Sequence, residues 1–265
     1  YGHDGSVADE IVRAAAASGG EAKLSSPSST LPSYDGFQAV QWAWQIAAAL
    51  HYLHGKKTCH GDIRASNIML TRQKQDTKLV GFVPDKEKCL CVKAFLSQFS
   101  SGVRGACERA VAAHVVSAAD EEALMHLSPE RAMDGGVATP ASDMWAFGVF
   151  LVHVCSFEAP YPDGGGGARG EAGASRTSAQ LLEGIATKVM RPRVPEPSML
   201  PHPDLAKLID GCLAADPSKR WNAQRAVLLL NSIVVEEKHR RKMQNGKGGA
   251  FSTGGGVARG QDMLV

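Results

Sequence analysis

From Met144 to Phe157 the chain reads MWAFGVFLVHVCSF, apolar on every side that a helix would have. A helix without a polar face cannot lie on a surface, so this one belongs in the middle of a helical bundle. The run is too short to cross a bilayer and carries His153, which suits a buried core helix and excludes a membrane span. Ser142 stands before it as an N-cap, giving a helix from Asp143 to about Cys155. With 265 residues, 44% of them hydrophobic, the chain can bury such an element in one large domain or two modest ones.

The rest of the sequence supplies packing partners. SVADEIVRAAAA, residues 6 to 17, predicts a short helix, which SGGEAKLSSPSST breaks with Gly, Ser and Pro, giving a flexible insertion near residues 18 to 33. Phe37, Val40, Trp44, Ala47 and Leu50 recur at three and four, flanked by Ile46 and Leu53, and predict an amphipathic helix from Phe37 to His54. NIML and TKLVGFV, separated by the polar TRQKQD, predict a small β-hairpin. Pro84 to Glu122 has mixed charge and no clean periodicity, and reads as a loop with one helical piece, an insertion near 84 to 122. PYPDGGGGARGEAGASRTS gives a third insertion near 162 to 178. Further helices are predicted over Ala179 to Lys188, Asp204 to Ala214 and Asn222 to Val235. Residues 236 to 265, with KHRRK, GKGG and TGGG, read as a basic, Gly-rich, disordered tail, KHRRK being a solvated charge cluster. The fold class is mainly α.

Charge and cysteine use exclude several functions. Lys plus Arg number 29 against 27 acidic residues, and a net charge of +2 gives no reason to expect nucleic acid or an anionic membrane as partner. The six cysteines lack the spacing of a secreted disulfide framework, so an intracellular and most simply cytoplasmic protein is expected. Cys89, Cys91, Cys107 and His114 do not have the spacing of a zinc knuckle and read as free thiols and an ordinary His.

CHGDIRASNIML, residues 59 to 70, concentrates His60, Asp62, Arg64 and Asn67 in eight positions ahead of an apolar run. Such side chains can merely bond the backbone of a turn. Their company decides against that. HGDIRASN resembles the catalytic loop of the protein kinase family, HRDLKxxN or HRDLRAxN. YLHGKKTCHGD resembles the helix end that leads into it. LSPERA is similar to the APE that closes the activation segment, SDMWAFGVFLVHV to the central helix beginning SDxWSFG, and GCLAADPSKRW to the late CLxxDPxxRP. YGHDGSVADEIV resembles the hinge and following helix, and KVMRPRVP the RPxxP after the seventh helix. The order of these motifs over residues 1 to 235 identifies the chain as a member of the protein kinase family, closest to tyrosine-kinase-like sequences.

The resemblance implies a C-terminal kinase lobe, a helical bundle with a small β-hairpin. It implies ATP and Mg2+ as cofactors, a protein as substrate or partner, and transfer of the ATP γ-phosphate to a Ser/Thr or Tyr hydroxyl. Asp62 would orient the attacking hydroxyl and take its proton, Arg64 would touch the transferring phosphoryl group, and Asn67 would bind nucleotide-bound magnesium. Asp143 would hold the loop around His60, Glu130 and Arg220 would form a buried ion pair, and Phe82 would keep its packing role. Two departures matter. Gly81 stands where DFG has the Asp that ligates the first magnesium, and Gly61 stands where many kinases have an Arg that reads a phosphorylated activation segment. The N-lobe motifs have no counterpart in the chain, which opens on Tyr1, and GGGGARG cannot supply a phosphate loop because it follows no strand. The expectation is a kinase relative whose phosphotransfer is absent or impaired. The alternative is a pseudokinase scaffold or protein-interaction module.

Overall fold

The computed structural model describes residues 5–18, 34–71, 76–79, 118–134, 138–161 and 178–248. Gly81, Phe82, Cys89, Cys91, Cys107 and His114 lie outside them, as do most of the three predicted insertions and residues 249–265. The described elements are α1 (Val7–Ser18), α2 (Gly36–Gly55), β1 (Ile68–Thr71), β2 (Asp76–Leu79), α3 (Ala118–Met125), α4 (Pro129–Asp134), α5 (Pro140–Ser156), α6 (Ser178–Ala186), α7 (Asp204–Cys212) and α8 (Ala223–Gly248).

The apolar run forms α5, and its side chains from Ser142 to Val152, together with Val154, are buried. It starts three residues earlier than the sequence suggested. Thr139 is the N-cap and Ser142 the third helical residue, each side chain bonding the other's backbone N–H in a capping box. Pro140 makes this earlier start favourable, because its fixed φ suits the first helical position and it has no N–H to satisfy. Phe157 ends the helix in a left-handed conformation at φ 58°.

Helix α5 packs against α1, α2 and α7, and α8 runs along α2. Trp42, Ile46 and Leu50 of α2, Trp145, Phe147 and Phe150 of α5, and Leu208 and Ile209 of α7 share one core. Gly148 permits the close approach of α7: a Cβ there would lie 2.8 Å from Cys212 Cβ and 3.0 Å from Leu213 Cδ2. A second cluster, with Leu124, Leu127, Tyr161, Leu181 and Ile185, joins α3, α4 and α6.

β1 and β2 form the expected antiparallel hairpin, with Ile68 opposite Leu79 and Thr71 opposite Asp76. It is fastened to α2 where the Gln45 side chain accepts from the Thr77 N–H at 2.6 Å. The helical piece expected between Pro84 and Glu122 lies at the end of that stretch, where α3 begins at Ala118. One expectation needs correction: residues 236 to 265 read from composition as a disordered tail, yet α8 continues to Gly248. Glu237 accepts from Arg240 and Arg241 one turn on, and Arg241 reaches Asp35 at 2.9 Å while its guanidinium lies 4.4 Å from the Phe37 ring centroid. Local ion pairs and one long-range contact hold basic residues in a helix that composition alone assigns to solvent.

Candidate functional site

The loop from Cys59 to Asn67 joins the end of α2 to β1, and a carboxylate from α5 holds it. Asp143, buried in the first turns of α5, accepts the His60 N–H at 2.8 Å and the Gly61 N–H at 2.9 Å. The same carboxylate lies 2.9 Å from His54 Nε2, at the end of α2. A negative charge near a helix N-terminus is favoured by the helix dipole, so α5 stabilises the group that anchors the loop.

Gly61 turns the chain with φ at 83°, in the left-handed region that glycine enters freely. The next peptide is gripped on both sides. Arg131 of α4, itself buried, donates from Nη1 to the Gly61 carbonyl at 3.1 Å, and the Asp62 N–H donates to His60 Nδ1 at 3.2 Å. His60 therefore uses Nδ1 as an acceptor, which fixes its tautomer.

The three residues predicted to do chemistry come together. Asn67 donates from Nδ2 to Asp62 Oδ2 at 2.7 Å and to the Asp62 carbonyl at 3.0 Å. Arg64 Nε lies 3.2 Å from Asp62 Oδ1. The result is an oriented carboxylate, a cation beside it, and an amide whose nitrogen is committed, leaving its oxygen for a hard cation. That amide supplies a single oxygen where magnesium wants a nearly ideal octahedron, and among the described residues no cluster of three His, Cys, Asp or Glu could hold a metal ion. The described residues do not make a magnesium site by themselves.

Glu122, Arg131 and His126 also belong to this site, and sequence reasoning missed all three. Glu122 of α3 accepts the Ser66 N–H at 3.1 Å and places its other carboxylate oxygen 3.9 Å from Arg64 Nη1. Its segment has no periodicity to signal it. His126 is buried with Nδ1 2.9 Å from the Glu122 carbonyl, and its ring centroid is 6.5 Å from that of His153. Burial lowers both imidazoles, His153 to about 4. His153 Nδ1 is buried without a hydrogen-bond partner. Only Arg131 left a trace in the sequence. It is a charged residue directly after the Pro129-Glu130 pair, in a chain with Gly61 in place of a loop Arg.

Glu130 and Arg220 meet as an ion pair, with Arg220 buried and Glu130 partly exposed. Arg220 grips Glu130 in a fork, with distances of 2.6 and 2.7 Å, and also donates to the carbonyls of Ala214 and Ala141 at 2.8 and 3.0 Å. Its guanidinium lies 5.0 Å from the Trp145 ring centroid. Burial works to raise the Glu130 carboxyl, and the Arg220 hydrogen bonds outweigh it, holding the group below its ordinary value. Cys155 and Cys212 are free thiols, and burial raises both to about 12. No helix of the described residues is long and apolar enough to cross a membrane.

Comparison with known proteins agrees with this geometry. The family described as protein tyrosine and serine/threonine kinase matches residues 24–230. A protein kinase and PP2C-like domain-containing protein of Arabidopsis thaliana is 26% identical over 208 residues, covering 76% of this chain and 30% of its own length. The probable serine/threonine-protein kinase roco5 of Dictyostelium discoideum is 28% identical over 207 residues, 73% of this chain and 6% of its own. Human mitogen-activated protein kinase kinase kinase 11 is 28% identical over 184 residues, 68% of this chain and 18% of its own. The chain thus spans less than a third of the length of each of these relatives. Over most of its length, in its helices and in the loop that carries Asp62, Arg64 and Asn67, the chain belongs to the protein kinase family.

Proposed function

We propose that these residues form the C-terminal lobe of a degenerate protein kinase, whose catalytic loop is assembled for phosphoryl transfer but whose metal chemistry is impaired. In this reading Asp62 orients and deprotonates a protein Ser/Thr or Tyr hydroxyl, Arg64 faces the transferred phosphoryl group, and Asn67 gives its amide oxygen to the magnesium of ATP. The carrying observation is that Asp62, Arg64 and Asn67 converge within hydrogen-bonding or ion-pair distance while Gly81 brings no side-chain oxygen to the second ligand position. Phosphoryl transfer depends on positioning and on neutralising charge. Losing one preorganised electrostatic contact costs about 3 kcal/mol, roughly a hundredfold in rate.

Magnesium-dependent ATP binding and phosphotransfer to a protein substrate, measured on the wild type, G81D and D62A, test the proposal. G81D should raise the rate about a hundredfold over the wild type, and adding D62A to it should abolish transfer. Transfer that is unchanged by G81D and indifferent to D62A would overturn it.

A second reading, a scaffold that binds a partner protein, draws support from a skeleton more complete than the chemistry: Asp143 with three hydrogen-bonding partners, Glu130 with a forked Arg220. A partner held equally by the wild type and D62A, with no transfer by G81D, would favour it.

A further inference from the structure

We infer that Arg131 is a positioning residue for Asp62: it supplies from α4 the cation that position 61 lacks, and couples α4 to the catalytic loop without a phosphate. The inference deepens the kinase reading by assigning part of that site's control.

Three observations carry it. First, the peptide between Gly61 and Asp62 sets where the Asp62 side chain starts, and its carbonyl accepts Arg131 Nη1 at 3.1 Å while its N–H donates to His60 Nδ1 at 3.2 Å. Asp143 already holds the His60 and Gly61 amides, and Arg131 adds a hold on the Gly61 carbonyl. Second, Gly61 has φ at 83° and no side chain to resist a shift, so this turn depends on outside contacts to stay in one conformation. Third, Arg131 is buried and follows Glu130, which Arg220 pins to the bundle, so the guanidinium is delivered from a rigid base. A charged donor to a buried carbonyl is among the stronger hydrogen bonds available to a loop. In a loop Arg that reads a phosphate, the cation would point outward from the loop. Here it points inward from α4, and its acceptor is a backbone carbonyl that is always present.

Hydrogen exchange of the whole chain, resolved by residue, separates positioning from general stability. In R131M the amides of His60, Gly61 and Asp62 should exchange at least about tenfold faster while those of α5 and α8 stay within about twofold. R131K, which keeps the charge and a donor, should recover most of the protection. Loop amides unchanged in R131M, or faster exchange throughout the bundle, would overturn the assignment. If R131M fails to fold by circular dichroism, R131Q is judged by the same criteria. Phosphotransfer by G81D, measured alongside, keeps the two readings apart. Absent transfer with the localised exchange pattern removes the kinase reading alone. Transfer with unchanged loop exchange removes the Arg131 assignment alone.

Discussion

At the scale of single residues, the Glu130–Arg220 fork shows how one ion pair can be unequal in its two halves. The Arg220 side chain is 0% exposed and the Glu130 side chain 29% exposed. Removing the carboxylate strands a guanidinium that cannot reach water, whereas removing the guanidinium leaves a carboxylate that partly can. E130Q should therefore cost about 3 to 5 kcal/mol, and R220M nearer 2 kcal/mol, both read from urea unfolding midpoints. Equal losses would contradict this asymmetry. Asp62, Arg64, Asn67, Asp143, Glu130 and Arg220 were all legible in the sequence because each sits at a fixed offset within a short motif. Glu122 and His126 were not, because they reach the site by the folding-back of α3, and a contact across 56 residues, such as that from Ser66 to Glu122, leaves no local pattern.

At the scale of elements, the closeness of α5 and α7 rests on the missing side chain of Gly148. Cys212 and Leu213, which face that gap, are buried and have little room to yield. G148A should destabilise the protein by about 1 to 3 kcal/mol despite the better helix propensity of alanine. Chemical denaturation would show it, and a stabilised G148A would mean that α7 can shift without cost. Periodicity revealed α2 and the apolar run revealed α5, because burial on one face or on all faces leaves its mark on composition. The start of α5 was misplaced because two serine-like caps stood three residues apart, and the capping box employs both. The reach of α8 to Gly248 was hidden because its last turns are held by charges, whose partners at Glu237 and Asp35 a hydropathy pattern does not record.

At the scale of the whole molecule, buried His126 and half-buried His153 tie stability to pH. His153 is held at about 4 against an ordinary 6.5, and His126 is also lowered, both chiefly by burial. The groups facing them are Glu122, which favours the charged form of both, Asp62, which favours it at His126, and Arg64, which opposes it there. A depressed imidazole binds its proton more readily unfolded than folded. Its contribution is whole above pH 6.5 and is lost as pH falls from 6.5 toward 4, about 3 kcal/mol for His153 by the end of that window. H153Q should flatten the fall in urea-unfolding free energy between pH 7 and pH 5, and an unchanged slope would refute the assignment. The anchor of the catalytic loop has a different consequence, one of time. His60 is bound by a carboxylate 83 residues further along the chain. A ribosome adding about 5 to 20 residues per second needs about 4 to 17 seconds to reach Asp143 after making the loop. Until then the peptide that carries Asp62 has no carboxylate to organise it. In each newly made molecule the loop that carries Asp62 is therefore synthesised well before the carboxylate that gives it its shape.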